Sequence, residues 1–200
     1  MKTEMVEKKF IVFSFFMMLV HLIGACAPSN DCNPDFALNY SMTEDGKARK
    51  FSSLPIQLVV EDEALFEATQ NAAIVWNVDV GIELFTIDQC EDCPKVRVIN
   101  EKDADIFSTA QEAHGNGVIA IAASTVSSQD FSTYIRGYVR ALPSFWEEKE
   151  EHQYRTMIHE LGHILGLKHE HGNPNTVMSH AGSCAVIDAK YAEHLHKVYQ

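Results

Sequence analysis

The sequence predicts a single α+β domain, because residues 54–200 carry both strand-like and helix-like patterns. Apolar and polar side chains alternate over 82–87 and 95–99, as they do in half-buried strands. Apolar side chains recur at helical spacing in three longer segments, 61–78, 147–165 and 188–199. A chain of 200 residues, 46% hydrophobic and 22% charged, is long enough for one such domain.

The first 25 residues have the pattern of an export signal peptide. Lys2, Lys8 and Lys9 precede an apolar run over 10–23. A transmembrane helix needs about 20 apolar residues, and this run is shorter. We therefore expect an exported protein from which residues 1–25 are removed.

The end of this signal, Leu22-Ile23-Gly24-Ala25-Cys26, resembles the lipobox of bacterial lipoproteins. The resemblance implies cleavage before Cys26 and acylation of that cysteine, which anchors the protein in the membrane of the cell envelope. In a Gram-negative host, Ala27 after the cysteine implies the outer membrane. The alternative is an ordinary signal peptide with an incidental cysteine, which predicts a secreted protein.

Residues 26–53 are predicted to be a flexible tether, because they mix Pro, Asn, Asp, Ser and Gly with few apolar residues. The domain itself is expected to span residues 54–200. Its first element is a strand at 56–60.

The remaining elements follow from the same two periodicities. Gly81 ends the helix over 61–78, because glycine readily adopts the left-handed conformation. We expect further strands in five places: 82–87, 95–99, 104–107, 117–123 and 131–142. The helix over 147–165 begins with acidic residues that complement the helix dipole, and the helix over 188–199 ends the domain.

Four cysteines remain beside Cys26, and in an exported chain an even number points to disulfides. We expect Cys90 and Cys93 to close a tight loop, and Cys32 to pair with Cys184. A redox or metal role for the Cys90–Cys93 pair is the alternative. It is disfavoured because a proline and a strand follow, where redox pairs usually begin a helix.

The helix over 147–165 carries the sequence His159-Glu160-Leu161-Gly162-His163. Because the two histidines are four residues apart, they lie on one face of a helix, where both imidazoles can hold one metal ion. Gly166 can turn the chain sharply after the helix, so that His169 becomes a third ligand. Three protein ligands leave one position of a zinc ion open, which is the catalytic arrangement.

The pattern HExxHxxGxxH over 159–169, followed by Met178 in Asn175-Thr176-Val177-Met178-Ser179, resembles the metzincin metallopeptidases. Their zinc motif is followed by a methionine turn, and the short interval to Met178 resembles the matrixin branch. The resemblance covers residues 54–200, and its strong part covers 159–178. It implies a mixed twisted sheet, an active-site helix and a C-terminal helix.

The resemblance also implies a zinc-dependent endopeptidase with one catalytic zinc ion. His159, His163 and His169 are then the ligands, and Glu160 is the general base. Met178 packs beneath the ligands without touching the metal. The expected partner is a protein or peptide substrate.

Gly117, Val118, Ile119 and Ala120 begin an apolar segment that precedes the zinc helix. In metzincins a strand in this place lies at the edge of the sheet, and the peptide substrate pairs with it. The resemblance therefore marks these four residues as a substrate strand. A plain core strand is the alternative.

Two further residues depart from the family pattern. His180 stands where astacins and serralysins carry a tyrosine that reaches the zinc or the transition state. It is a candidate oxyanion donor or extra ligand, with a surface histidine as the alternative. The segment 31–35 around Cys32 faintly resembles the matrixin segment whose cysteine caps the zinc, with a structural disulfide as the alternative. The sequence shows no calcium loop, although calcium sites built from backbone oxygens leave no such pattern.

The net charge of −12 argues against a nucleic-acid partner, because phosphate binding needs a basic surface. Three hypotheses compete with the peptidase. One is a catalytically silent zinc lipoprotein that binds a partner, which an intact Glu160 disfavours. Another is a structural zinc site closed by His171 or His180 as a fourth ligand. The last is a zinc hydrolase acting on a substrate other than peptide.

Overall fold

Among the residues that the structure describes, a six-stranded sheet packs with three long helices. The computed structural model describes residues 38–103, 105–106, 108–110, 118–170, 176–179 and 187–200. The strands are β1 (Lys50–Phe51), β2 (Ile56–Val60), β3 (Phe85–Thr86), β4 (Lys95–Asn100), β5 (Ala120–Val126) and β6 (Thr133–Ala141). The helices are α1 (Phe66–Val80), α2 (Glu150–Ile164) and α3 (Ala189–Tyr199). The predicted α+β class is confirmed.

The sheet is mixed, with strand order β1-β6-β4-β2-β3 and with β5 beside β6. All neighbouring strands run parallel except β5, which runs antiparallel to β6. In the part of the chain that the structure describes, β5 pairs with β6 alone, so it lies at an edge of the sheet. The same strand packs against α2.

The helices cover one face of the sheet, and the alternation of β4 shows why. Val96 and Val98 are fully buried, whereas Lys95 and Arg97, which alternate with them along the strand, are exposed. The period of two thus places apolar side chains in the core and charged ones in water. Across the core, α1 packs against both α2 and α3. Among the described residues, no helix is long and apolar enough to cross a membrane.

Helix α1 corresponds to the region predicted as 61–78 but begins at Phe66, after the 3-10 turn Glu63–Leu65, and Gly81 ends it with a φ of 74°. The strand predicted at 82–87 is shorter, because Asn77 of α1 competes with the sheet for its backbone. The Asn77 amide donates to the Phe85 carbonyl, and its oxygen accepts from the Leu84 and Phe85 N–H groups. Only Phe85–Thr86 remains as β3.

Two other predicted elements need correction. The strand predicted at 104–107 is wrong, since residues 105–106 and 108–110 are helical. Helix α2 begins at Glu150 and not at 147, because Glu148 and Lys149 have extended backbone after the 3-10 turn Pro143–Glu147. The strand predicted within 117–123 is present as β5, shifted to Ala120–Val126.

The described part of the predicted tether belongs to the domain. Phe51 is fully buried, and β1 pairs with Thr133 and Tyr134 of β6. Strand β1 has only two residues, which is too short to show an alternating pattern. Its packing in the domain could therefore not be predicted from the sequence. The prediction of a tether therefore fails from residue 38 onward, while residues 26–37 lie outside the described part of the chain.

Candidate metal centre

Helix α2 presents His159 and His163 on one face, one turn apart, as their spacing predicts. The helix is held against α1 by a hydrogen bond from the Trp76 indole to the Ile158 carbonyl, 2.9 Å long. Its C-terminal half is buried, including Leu161, Gly162 and Ile164. The two imidazoles therefore stand on a part of the helix that tertiary packing fixes.

The chain leaves the helix in a Schellman turn. Gly166 has a φ of 90°, and its N–H donates to the His163 carbonyl at 3.0 Å. The Leu167 N–H reaches back to the Gly162 carbonyl at 3.1 Å. This reversal brings His169 back beside the helix, which confirms the predicted turn at Gly166.

The three imidazoles converge on one point. The Nε2 atoms of His159, His163 and His169 lie 3.0–3.1 Å from one another. No other group of three or more His, Cys, Asp or Glu side chains with this proximity exists among the described residues. The structure thus brings together the three predicted ligands.

The ring tautomers show that this cluster suits a cation. The Nδ1 atom of His159 lies 2.7 Å from the Val177 carbonyl oxygen, and that of His163 lies 2.8 Å from the Leu167 carbonyl oxygen. Because a carbonyl oxygen only accepts, each Nδ1 donates, and the neutral ring then carries its lone pair on Nε2. Lone pairs 3.1 Å apart repel one another, whereas a metal ion between them would be bound by both.

Glu160, next to the first of these histidines, is a buried acid. Its side chain is 6% exposed, and its Oε2 atom has no hydrogen-bond partner among the described residues. Burial raises the pKa of the Glu160 carboxyl to about 8. A buried carboxyl oxygen without a hydrogen-bond partner lowers the stability of the fold, which a purely structural position would not require. Such a carboxyl suits a residue that accepts and donates protons in a reaction.

Met178 lies directly beneath the helix. It is fully buried, and a Cβ placed on Gly162 would come within 2.4 Å of its sulfur atom and 3.1 Å of Trp76. Glycine at position 162 is therefore what allows Met178 to approach α2 between the two histidines. Met178 therefore packs against the helix that carries both histidines, and its role as a floor beneath the metal ligands stays a prediction.

The structure tests the other predicted site residues unevenly. The Cys90–Cys93 disulfide is confirmed. Ala120 begins β5, whereas Val118 and Ile119 precede the strand, and the Ile119 carbonyl accepts from the Leu142 N–H. Six predicted residues lie outside the described part of the chain: Cys26, Cys32, Gly117, His171, His180 and Cys184.

Two residues of this region escaped sequence reasoning. Asn39 and Glu170 bond to each other beside His169, although they are 131 residues apart in the chain. Glu170 is buried. Its position directly after a predicted ligand is the one sequence signal that could have singled it out. Nothing in the sequence around Asn39 marks it.

A scan of the sequence against protein-family models finds no match, and a search of curated proteins finds none either.

Proposed function

We propose that this protein is a zinc-dependent endopeptidase, exported and anchored by lipid at Cys26. The observation that carries the proposal is the convergence of three Nε2 atoms within 3.1 Å of one another, beside a buried glutamate. His159, His163 and His169 hold the ion. A zinc ion bound by three histidines acts as a Lewis acid and lowers the pKa of water at its open position toward about 7.

Glu160 serves as the proton carrier of the reaction. In its ionised form, which a cation held by the neighbouring histidines would favour, it accepts a proton from the water that attacks the peptide carbonyl, and it returns that proton to the leaving amine. Its burial excludes bulk water, so the proton stays with the reacting groups.

Strand β5 supplies the surface for an extended substrate. It lies at the sheet edge and packs against the histidine helix, so a peptide added along its free edge runs past that helix. Main-chain hydrogen bonds then give affinity largely independent of the substrate's sequence. Ala122 and Ala123 on this strand have small side chains, which leaves room for those of such a peptide.

The test uses a quenched fluorescent peptide library with the full chain, the Glu160→Gln variant and the Glu151→Gln variant. Glu151 lies on the same helix, is exposed and pairs with Arg155, so it is a matched control. We expect Glu160→Gln to lower kcat/KM by about 10²–10⁴ while zinc content stays equal, because a general base contributes that much. Glu151→Gln should cleave like the wild type.

Two outcomes would overturn the proposal. One is cleavage by Glu160→Gln at the wild-type rate. The other is absence of cleavage by both the zinc-loaded wild type and its Cys32→Ser variant, which removes the candidate capping cysteine. The second result would favour a catalytically silent zinc lipoprotein.

A further inference from the structure

Residues 39–41, here called the strap, lie against residues 166–170, the ligand segment. Tyr40 and Leu167 form an antiparallel bridge. On either side of this bridge, the Ser41 N–H donates to the Gly166 carbonyl at 2.7 Å, and the Lys168 N–H donates to the Asn39 carbonyl at 2.8 Å. The strap thus adds a short ladder of backbone bonds to a segment that has left its helix.

Asn39 brackets the third histidine. Besides its bond to Lys168, its own N–H donates to the Glu170 carboxylate at 2.7 Å. Its side-chain amide donates to the His169 carbonyl at 3.1 Å. One residue therefore bonds to the three consecutive residues that surround and include the ligand.

The ladder also reaches the second histidine. The Leu167 carbonyl, which accepts from His163 Nδ1, belongs to the residue that bridges to Tyr40. On its other side, the ligand segment is tied to the methionine turn, because the Glu170 N–H donates to the Met178 carbonyl at 2.9 Å. The ligand segment is therefore held between the strap and the turn.

The strap is itself anchored in the domain. The Tyr40 ring lies 4.0 Å from the His194 ring of α3, measured between centroids. The Arg49 N–H donates to the Ser41 carbonyl at 2.9 Å, just before β1 enters the sheet. These contacts give the strap a fixed position from which it can hold the ligand segment.

We propose that the strap positions the third metal ligand and that Asn39 is its positioning residue. His159 and His163 are placed by a helix, whereas His169 lies on irregular chain and needs its backbone fixed from outside. The inference rests on the proposed metal site, and it assigns to residues 39–41 a share of that site's affinity. Groups that orient metal ligands typically contribute about 10–100-fold to metal affinity.

The first experiment measures zinc affinity of the full chain by competition with a chromophoric chelator. Asn39→Ala removes the donor to His169, and Asn39→Asp keeps the size but places an acceptor against the same carbonyl. We expect both to bind zinc about 10–100-fold more weakly and to alter the visible spectrum of the cobalt(II)-substituted protein. The control is Asn100→Ala, because the Asn100 amide bonds Asp62 and Trp146 and not the strap or the ligand segment.

A second measurement needs no variant. Coupling between two sites is reciprocal, so zinc must stabilise the strap by the factor by which the strap stabilises zinc. Hydrogen exchange at the Asn39 and Ser41 amides should therefore slow by about 10–100-fold when zinc is bound. The Lys47 amide, in the hairpin beyond the strap, should exchange at an unchanged rate.

The outcomes separate this inference from the proposed function. If the wild type does not bind zinc, the metal site itself is refuted. If it binds zinc tightly, but the Asn39 variants match Asn100→Ala and zinc leaves strap exchange unchanged, the strap inference alone is overturned.

Discussion

Helices α1 and α2 are equally long and pack against each other, yet they treat buried polar groups differently. Each has 15 residues. On α1 the buried Thr69 hydroxyl donates to the Leu65 carbonyl, and the Trp76 indole donates to α2. No buried side-chain oxygen or nitrogen of α1 lacks a partner. Helix α1 is therefore built as a structural element.

Helix α2 departs from this rule where its sequence carries the metal motif. Glu160 keeps an oxygen without a partner in the described part of the chain, and the lone pairs of two imidazoles are brought within 3.1 Å of each other. Such arrangements cost stability and persist where they serve function. The difference between two otherwise similar helices thus singles out α2 as the candidate functional helix.

The strongest test of this contrast replaces a converging histidine. His163→Ala should weaken zinc binding by about a hundredfold or more, because zinc bound by protein side chains gains roughly 10–16 kcal/mol shared among its ligands. His152→Ala is the control, since this exposed histidine of the same helix only pairs with Glu148. Isothermal titration with zinc measures both.

Equal zinc affinities for the two histidine variants would remove this ground for distinguishing α2 from α1. The metal would then have to be bound elsewhere, and the convergence of the imidazoles would be a packing feature.

A second test concerns the contact beneath α2. Gly162→Ala should lower the free energy of unfolding by about 1–3 kcal/mol, because the new methyl group collides with the Met178 sulfur atom and crowds Trp76. Adding Met178→Ala should make the two losses less than additive, since it removes the colliding atom. Urea unfolding of the four proteins in the cycle gives the coupling energy.

If the losses in the free energy of unfolding are additive, Met178 moves aside without cost. The contact with Met178 would then not restrict which residue can occupy position 162. The neighbouring Ala73→Gly variant on α1 serves as a reference for a small volume change in the same core.

The smallest expected effect compares the glycines that end the two helices. Gly81→Ala meets no atom within 4 Å, so it should cost only the strain of a positive φ, about 1 kcal/mol. Gly166→Ala should cost about 2 kcal/mol, because its methyl group also lies 3.1 Å from the Arg49 carbonyl oxygen. Only Gly166→Ala should also weaken zinc binding, since this turn directs the chain to His169.

Thermal unfolding with and without zinc distinguishes the two variants. If zinc raises the melting temperature of both by the same amount, the turn at Gly166 has no special role in placing the ligand.

Local patterns in the sequence predict the three long helices and the histidine cluster, but not the helical residues 105–106 and 108–110. His159 and His163 depend only on helical spacing, and the turn at Gly166 depends only on one residue's conformational freedom. What could not be predicted depends on contacts between distant residues. The Asn77 amide shortens β3, and Asn39 bonds Glu170 across 131 residues, and neither leaves a periodic signal.

The contact between Gly162 and Met178 has a consequence for how this protein can change over generations. A substitution that adds volume at position 162 is tolerated only after volume has been lost at 178, so the order of the two changes matters. Substitutions at the two positions therefore depend on each other. In a diverging lineage they are expected to vary together or not at all.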